Sequence, residues 1–151
     1  MVYFGEFRGK IDGQGRIVIP AKLRSQFKEA SDKQKGSLFI TKGLENCLFI
    51  FSQEVWEKQN VRLKDLPFTK EDPRTFTRLF FSGASQSNID KQGRILVPVN
   101  LLQYAYIKEN IVLIGAGTRI EIWDEDRWDK YYADSLKMYE RISEQLMEHQ
   151  T

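Results

Sequence analysis

A ten-residue segment that occurs twice constrains the fold of this chain more than any other sequence feature. Residues 11–20 read IDGQGRIVIP and residues 89–98 read IDKQGRILVP, so seven of the ten positions are identical at an offset of 78 residues. Two of the remaining differences, valine to leucine and isoleucine to valine, are conservative. Because a long internal repeat sets the architecture of a chain, we expect two halves that are built alike.

Each copy of the repeat predicts a strand, a tight turn, a second strand and a short helix. Asp12 can accept hydrogen bonds from backbone N–H groups two or three residues on, as in an Asx-turn, and Gly15 can adopt φ > 0 at little cost. A β-branched strand follows at 17–19. Pro20 ends that strand and suits the first turn of a helix at 21–27. The second copy carries the same features at Asp90, Gly93, Arg94 and Pro98.

The acidic and basic residues of the repeat are compatible with two roles. Asp12 and Arg16 lie four apart around a tight turn, so they can form an ion pair that pins the turn. In the second role, Arg16 and Arg94 lie at a surface and meet an anion. Both roles can hold at once, because one guanidinium can be oriented by a carboxylate and still offer donors outward.

Around the repeats the chain divides into four regions. A hairpin is predicted at 37–51 and another at 110–123, one after each copy of the repeat. A single half is too small to bury a good core, so we expect the halves to close on each other. The predicted boundaries are a first half at 3–52 containing a polar connection at 29–36, a helical connector at 53–80, a second half at 81–124 and a C-terminal helix at 125–148.

The C-terminal region 125–148 is predicted to form one amphipathic helix. Apolar side chains recur every three or four residues from Trp128 to Leu146, as they do on one face of a helix, and Asp124 is placed to cap it. Because the polar face is acidic, packing on the protein's own core or on a neighbouring subunit is favoured over a membrane surface.

Charge is distributed unevenly along the 151 residues. The net charge is only +2, yet residues 1–28 carry net +4 and residues 121–148 carry net −5. This polarity favours a molecule with one anion-binding face, although an unevenly charged, solvated surface would show the same pattern. Cys47 is the single cysteine, and neither a secretory signal nor a long apolar run is found, so an intracellular location is expected.

The sequence offers little for catalysis. The only histidine, His149, lies in the terminal tail, and Cys47 has no basic residue nearby in sequence, which argues against a nucleophilic triad or a metal cluster. The segment 115–117 lacks the third glycine of a dinucleotide-binding fingerprint and is typical of a hairpin turn. We therefore expect no enzyme activity, no cofactor, no metal site and no small-molecule substrate.

Several motifs together resemble the bacterial MraZ family. They are Phe4-Gly5-Glu6, the repeat at 11–20, Arg78-x-Phe80-Phe81-Ser82-x-Ala84, the repeat at 90–98 and Glu121-Ile122-Trp123. The resemblance runs from about Tyr3 to Trp128. One Asp-x-x-Gly-Arg copy alone would suggest only the wider AbrB/SpoVT-like superfamily of swapped-hairpin DNA-binding domains, whereas the duplicated motif at this spacing is specific.

This resemblance implies a fold, a function and partners. The fold is α+β, mainly β with short helices, in which two AbrB-like swapped-hairpin halves close into one double-split β-barrel followed by a C-terminal helix. MraZ proteins are transcriptional regulators that bind spaced repeats in the promoter of their own operon for cell division and cell-wall synthesis. The expected protein is a ring-shaped homo-oligomer that binds double-stranded promoter DNA as a repressor. It would work in the cytoplasm, associated with the nucleoid and without a membrane partner.

The resemblance also implies which residues face DNA. It implies that the two Asp-x-x-x-Arg motifs, Lys10 and Arg24 face DNA. Our own ranking of the basic residues puts Arg16, Lys10 and Arg24 first, followed by Arg94, Arg8 and Lys22, while Asp12, Gly15, Asp90 and Gly93 orient the motif. The second half departs from the first where Asn88 and Leu102 replace Lys10 and Arg24. Basic side chains would neutralise phosphates and release counterions, giving salt-dependent affinity. Arginine also suits bidentate contact to guanine.

Two other functions fit parts of the sequence. An oligomeric protein-interaction ring that does not bind DNA is favoured by the acidic, amphipathic C-terminal helix. An AbrB-like antitoxin is a weaker alternative, because those chains carry one copy of the motif and a toxin-wrapping tail, whereas this chain carries two copies. Salt-sensitive binding to promoter DNA distinguishes the regulator from the ring.

Overall fold

Eight strands and six helices form within the residues that the computed structural model describes, which are 2–30 and 37–148. The strands are β1 (Tyr3–Lys10), β2 (Arg16–Val18), β3 (Ser37–Lys42), β4 (Leu48–Ser52), β5 (Ser85–Asn88), β6 (Arg94–Leu96), β7 (Asn110–Gly117) and β8 (Ile120–Asp124). The helices are α1 (Ala21–Ala30), α2 (Gln53–Leu63), α3 (Glu71–Ser82), α4 (Val99–Tyr104), α5 (Glu125–Leu136) and α6 (Tyr139–Glu148). His149 and most of the polar connection predicted at 29–36 lie outside the described residues, while residues 29 and 30 end α1.

Antiparallel pairing interlocks the two halves of the sequence. One sheet has the strand order β1-β7-β8-β4-β3-β5, and a separate two-stranded ribbon, called the ribbon below, pairs β2 with β6. The pairs β3–β4 and β7–β8 lie within a half, whereas β1–β7, β3–β5, β4–β8 and β2–β6 join one half to the other. The α+β class and the closure of the halves on each other are confirmed.

The six-stranded sheet is open. Among the described strands, β1 and β5 form its two ends and do not pair with each other, and β2 and β6 pair only with one another. The ribbon packs on the core of the sheet, where Ile17 and Ile95 of the ribbon and Leu23 and Leu101 of the following helices are fully buried. The strand pairing therefore differs from a barrel that hydrogen bonds close all the way round.

Two equivalent helix caps reflect the repeat. The Ser52 hydroxyl accepts a hydrogen bond from the N–H of Val55 at 3.2 Å, which begins α2. The Asp124 carboxylate accepts one from the N–H of Arg127 at 3.4 Å, which begins α5 as expected from the sequence. Such side chains satisfy N–H groups that the first helical turn leaves without a partner, so both hairpins lead directly into a helix.

Aromatic side chains hold the helical connector on the sheet. The ring of Trp56 in α2 stacks on Phe39 of β3 with centroids 4.8 Å apart, and the ring of Phe80 in α3 stacks on Trp56 at 5.5 Å. Stacked aromatic pairs combine large buried area with a fixed geometry. The connector thus packs on β3 and β4, and α3 extends to Ser82, two residues past the predicted boundary.

The predicted single C-terminal helix is divided into two helices. In the turn between α5 and α6, the N–H of Met138 donates to the carbonyl oxygen of Ser135 at 2.9 Å. This bond to the third preceding residue tightens the chain into a turn that contains neither glycine nor proline. Within these two described helices no residue is fully buried, so much of their apolar stripe faces outward. None of the helices described is long and apolar enough to span a membrane.

Candidate nucleic-acid interface

The first copy of the repeat forms a turn that is closed by one carboxylate. Asp12 Oδ1 accepts hydrogen bonds from the backbone N–H groups of Gln14 at 2.8 Å and Arg16 at 2.9 Å. The Asp12 N–H in turn donates to the carbonyl oxygen of Arg16 at 2.9 Å. Gly15 has φ +80°, in the left-handed region that glycine adopts without strain. The predicted Asx-type turn is confirmed, and the same carboxylate oxygen also accepts the N–H of Arg16.

The second copy forms the same turn from equivalent residues. Asp90 Oδ1 accepts hydrogen bonds from the N–H groups of Gln92 at 2.9 Å and Arg94 at 2.8 Å, and Gly93 has φ +78°. The Asp90 N–H donates to the carbonyl oxygen of Arg94 at 2.9 Å. The backbone geometry of the two turns therefore follows from the residues that the copies share.

The two arginine side chains differ in their partners. Arg94 Nε donates to Asp90 Oδ2 at 3.0 Å, and its terminal nitrogen donates to Gln92 Oε1 at 2.9 Å. The guanidinium of Arg16 instead bonds to the side-chain oxygen of Gln14 and forms no ion pair within the described part of the chain. The internal ion pair predicted for the turn is thus present in the second copy, whereas in the first copy the guanidinium has no carboxylate partner among the described residues.

The carboxylates of both turns are held in their ionised form. The backbone hydrogen bond from Arg16 is the largest cause that lowers the pKa of Asp12, and the charge of Arg94 also lowers it. The pKa of Asp90 is lowered chiefly by the backbone hydrogen bond from Arg94, with a further contribution from the guanidinium of the same residue. Because Arg94 acts on Asp12 as well as on Asp90, the two turns form one electrostatic unit.

The ribbon brings the two turns to one face of the molecule. Arg16 pairs with Leu96 across the two strands, and Val18 pairs with Arg94. Ile17 and its partner between these pairs point into the core. Side chains alternate between the two faces of a strand, so Arg16, Val18, Arg94 and Leu96 share the outer face. We call these four residues the ribbon face.

Each turn is braced by the other half of the chain. The N–H of Ile19 donates to the carbonyl oxygen of Gly93 at 2.8 Å, and the N–H of Val97 donates to that of Gly15 at 2.9 Å. The bonds are related by the repeat, since 19 and 97 are equivalent positions, as are 15 and 93. One half alone could not form this interface.

Arg24 lies against the turn of the opposite half. A Cβ atom added at Gly93 would overlap its guanidinium, and Arg24 Nε is buried with no hydrogen-bond partner among the described residues. At the equivalent place in the other half, Leu102 packs near Gly15. The departure of the second half seen in the sequence therefore replaces a cation beside one turn with an apolar group beside the other.

Lys10 and Lys22 are exposed cations. Lys10 Nζ lies 4.0 Å from Glu109 Oε1, and the two side chains are 71% and 70% exposed. Lys22 is exposed near the start of α1 and forms no ion pair in the ranges that the structure describes. Ion pairs this long and this exposed contribute little, so both charges are available to an anion in solution.

Arg8 occupies a different environment from the other candidates. Its guanidinium lies 2.8 Å from Asp129, 3.4 Å from Glu125 and 3.7 Å from Glu6. The hydrogen bond to Asp129 is the largest cause that raises the pKa of Arg8. The structure thus ties Arg8 to α5 and leaves it surrounded by carboxylates.

Two glutamines belong to the site although the sequence reasoning did not select them. Gln14 and Gln92 each accept a hydrogen bond from the arginine of their own turn. They are identical in the two copies of the repeat, and that identity was the signal that could have found them. Each glutamine oxygen accepts from one N–H group of a guanidinium and leaves the other donors of that guanidinium available.

Fold and site together define a class of protein in which two interlocked halves each present an Asp-x-x-Gly-Arg turn on a shared ribbon. The family model "MraZ protein, putative antitoxin-like" matches residues 2–79 and again residues 80–149. The chain belongs to the MraZ family.

Three relatives show how completely the chain is matched. It is 44% identical over 147 residues to the Transcriptional regulator MraZ of Heliobacterium modesticaldum, covering 97% of this chain and 98% of the relative. The protein of the same name in Desulforamulus reducens is 43% identical over 97% of this chain and 99% of its own length. The protein of the same name in Clostridium tetani is 44% identical over 97% of this chain and 98% of its own length. The similarity therefore includes both halves, the connector and the C-terminal helices.

Proposed function

We propose that this protein is a DNA-binding transcriptional regulator that represses its own operon for division and cell-wall synthesis. It binds spaced repeats in the promoter as a ring-shaped homo-oligomer, acts in the cytoplasm at the nucleoid, and carries out no catalysis. The printed name of the relatives, Transcriptional regulator MraZ, supports regulation of transcription. The observation that carries the DNA-binding proposal is that Arg16 and Arg94, both partly exposed, lie together on the ribbon face.

The shape of the ribbon suits the major groove of duplex DNA. That groove is about 12 Å wide and accepts a two-stranded β-ribbon. Arg16 has donors that no carboxylate occupies, and arginine can bond in two places to a phosphate or to guanine O6 and N7. Arg94, which Asp90 holds at 3.0 Å, offers its remaining donors from a fixed position. The ribbon would read bases while the lysines beside it contact the backbone.

The contacts of the six basic candidates support an order among them. Arg16 and Lys10 come first, because neither is held by a close carboxylate. Arg24 follows, since it also supports the Gly93 turn, and then Arg94 and Lys22. Arg8 comes last in this proposal, because three carboxylates surround it and a phosphate would have to displace them.

Exposed apolar surface supports self-association. Large apolar side chains stand out on the connector and on the C-terminal helices, among them Phe68, Leu79, Tyr139 and Leu146. Large exposed apolar side chains of this kind are candidates for contacts between subunits. Several subunits that engage several DNA repeats at once would bind far more tightly than a single chain with few cations.

The experiment that tests this proposal is fluorescence-anisotropy titration of the duplex upstream of the protein's own gene. A scrambled duplex of the same composition is the control, and each is titrated at two salt concentrations. We expect tight binding that prefers the promoter and weakens with salt, because phosphate contacts release counterions. Light scattering on the same samples gives the number of subunits in the complex.

A second candidate function is a protein-interaction ring that does not read DNA. The observation in its favour is the exposed apolar stripe of α5 and α6, which no other described element covers fully. Equal affinity for the promoter and the scrambled duplex would contradict the regulator and support this ring. A selective, salt-sensitive complex would leave the stripe as a subunit contact only.

A further inference from the structure

Two apolar side chains stand in the middle of the ribbon face. Val18 is 53% exposed and Leu96 is 51% exposed. Val18 lies across the ribbon from Arg94, and Leu96 lies across from Arg16, so each apolar group neighbours a guanidinium of the other half. The two residues are also equivalent positions of the repeat, at an offset of 78. The pseudo-twofold arrangement therefore presents two cations and two apolar groups in alternation.

Packing within the described chain leaves about half of each of these two side chains uncovered. The inward-facing residues of the ribbon, Ile17 and Ile95, already fill the core. A solvent-facing strand position between arginines would ordinarily be polar, because apolar area in water is unfavourable. Both copies nevertheless keep a branched apolar residue there. The ribbon face is thus built for a surface that is anionic and carries small apolar groups.

The major groove of DNA has that chemistry. Its phosphates are anionic, and the C5-methyl group of thymine is the apolar group that a base edge displays there. A protein surface is a poorer match, since burying Arg16 and Arg94 against it would require two carboxylates in place. Duplex DNA satisfies both the cations and the apolar groups of the ribbon face at once.

We infer that Val18 and Leu96 read thymine through contact with its C5-methyl group, while Arg16 and Arg94 bond to phosphates or guanines beside it. This inference rests on the proposed function, since it requires that the ribbon enter the major groove. Val18 and Leu96 are diagonal neighbours across the ribbon, a relation that places residues about 7–8 Å apart. Successive bases of one strand rise by about 3.4 Å, so the two thymines lie about two steps apart.

The test removes one methyl group at a time from the DNA. In the promoter duplex, each thymine is replaced singly by deoxyuridine, which lacks only the C5-methyl group and keeps every hydrogen-bonding atom. Anisotropy titrations then compare the protein with Val18→Ala, with Leu96→Ala and with Val61→Ala. The last variant removes the same atoms from an exposed valine of α2, which packs on β3 and β4.

We expect two deoxyuridine positions per DNA repeat to weaken binding by about fourfold each, the effect of losing one buried methyl group. One of these effects disappears in Val18→Ala, the other disappears in Leu96→Ala, and both persist in Val61→Ala. The effect should change little with salt, unlike that of an arginine variant. Circular dichroism and light scattering check whether each variant keeps its fold and its subunit number. Val18→Ser, which also lacks both γ-methyl groups, replaces Val18→Ala if the latter is destabilised.

Four results would overturn the inference. The first is selective, salt-sensitive binding with equal affinity for thymine and deoxyuridine at every position. It would support the proposed regulator and contradict the methyl contact. A deoxyuridine effect that persists in both Val18→Ala and Leu96→Ala would show that other residues contact the thymine methyl group. Absence of selective binding in the unaltered protein overturns the proposed function and this inference with it. A change of subunit number in Val18→Ala would show that a second copy of the chain, and not DNA, covers the ribbon face.

Discussion

The turn at 11–20 and the turn at 89–98 have the same backbone and different electrostatics. In both, one aspartate accepts the N–H groups of the glutamine and the arginine, and a glycine takes φ near +80°. In the second turn the carboxylate also holds the guanidinium of Arg94, whereas in the first the guanidinium of Arg16 is left to Gln14. The residues shared by the copies set the shape, and their neighbours set the charge.

The residues beside the turns also differ in charge between the two halves. Lys10 and Arg24 belong to the first half, and the second half has Asn88 and Leu102 at the same places. A duplicated turn can thus keep its structural role in both halves while one half carries most of the charge available to an anion. The repeat alone would have suggested two equal binding sites, and the contacts favour one stronger and one weaker contact on a shared ribbon.

The largest expected effect separates the two arginines. Arg16→Ala should abolish promoter binding in anisotropy titrations and leave the oligomer assembled. One base or phosphate contact is worth about 1–3 kcal/mol, and several subunits lose it together. Arg94→Ala should weaken binding by about tenfold or less, because its guanidinium is already committed to Asp90.

The matched control for both variants is Arg62→Ala, which removes the same charge from an exposed position on α2. It should leave affinity close to that of the unaltered protein, and light scattering should give one subunit number for all three variants. Unaltered affinity in Arg16→Ala would contradict the assignment of the ribbon face as the DNA-binding surface. Equal losses in Arg16→Ala and Arg94→Ala would show instead that the two halves contact DNA alike.

The next effect concerns the glycines. Gly15→Ala and Gly93→Ala should each lower the free energy of unfolding by about 1–2 kcal/mol, the cost of the left-handed conformation for a residue with a Cβ atom. The two differ in what the new methyl group meets. At Gly15 it would lie 3.3 Å from the carbonyl oxygen of Val97, and at Gly93 it would overlap the flexible end of Arg24.

A double-mutant cycle converts that difference into a measurement. Gly93→Ala should displace Arg24, so the losses of DNA affinity from Gly93→Ala and Arg24→Ala should be less than additive. In the control cycle, the losses of DNA affinity from Gly15→Ala and Arg24→Ala should be additive. Chemical denaturation of the same variants checks the stability effect. Additivity in both cycles would mean that Arg24 does not depend on the Gly93 turn.

The sequence predicted the local structure of the site well and its long-range contacts poorly. The Asp-x-x-Gly-Arg pattern identified both turns, because Asx-turns and left-handed glycines depend on adjacent residues. The pairing of β1 with β7 and the ion pair of Arg8 with Asp129 join residues at least 100 positions apart, and no local pattern encodes them. The break after Leu136 has no glycine or proline to announce it. Periodicity therefore predicted one helix where the chain forms two.

The smallest expected effect is a difference in acid sensitivity between the two turns. Because the pKa values of Asp12 and Asp90 are lowered in the folded protein, the unfolded chain takes up protons at higher pH than the folded one. The stability that each carboxylate contributes is complete above its unfolded pKa of about 3.9 and is lost as the pH falls through the folded value. Asp12→Asn and Asp90→Asn keep an oxygen that can accept a backbone hydrogen bond and remove the charge.

Thermal melts from about pH 7 to about pH 3 should therefore show each variant with a lower Tm than the unaltered protein at neutral pH and a gap that narrows in acid. The gap at neutral pH should be larger for Asp90→Asn, because Asp90 also holds the guanidinium of Arg94 at 3.0 Å, whereas Asp12 accepts only backbone N–H groups among the described contacts. Other carboxylates titrate in all three proteins and cancel in the comparison. Gaps of equal size would mean that the ion pair in the second turn adds nothing to stability, and that its effect is confined to aiming Arg94.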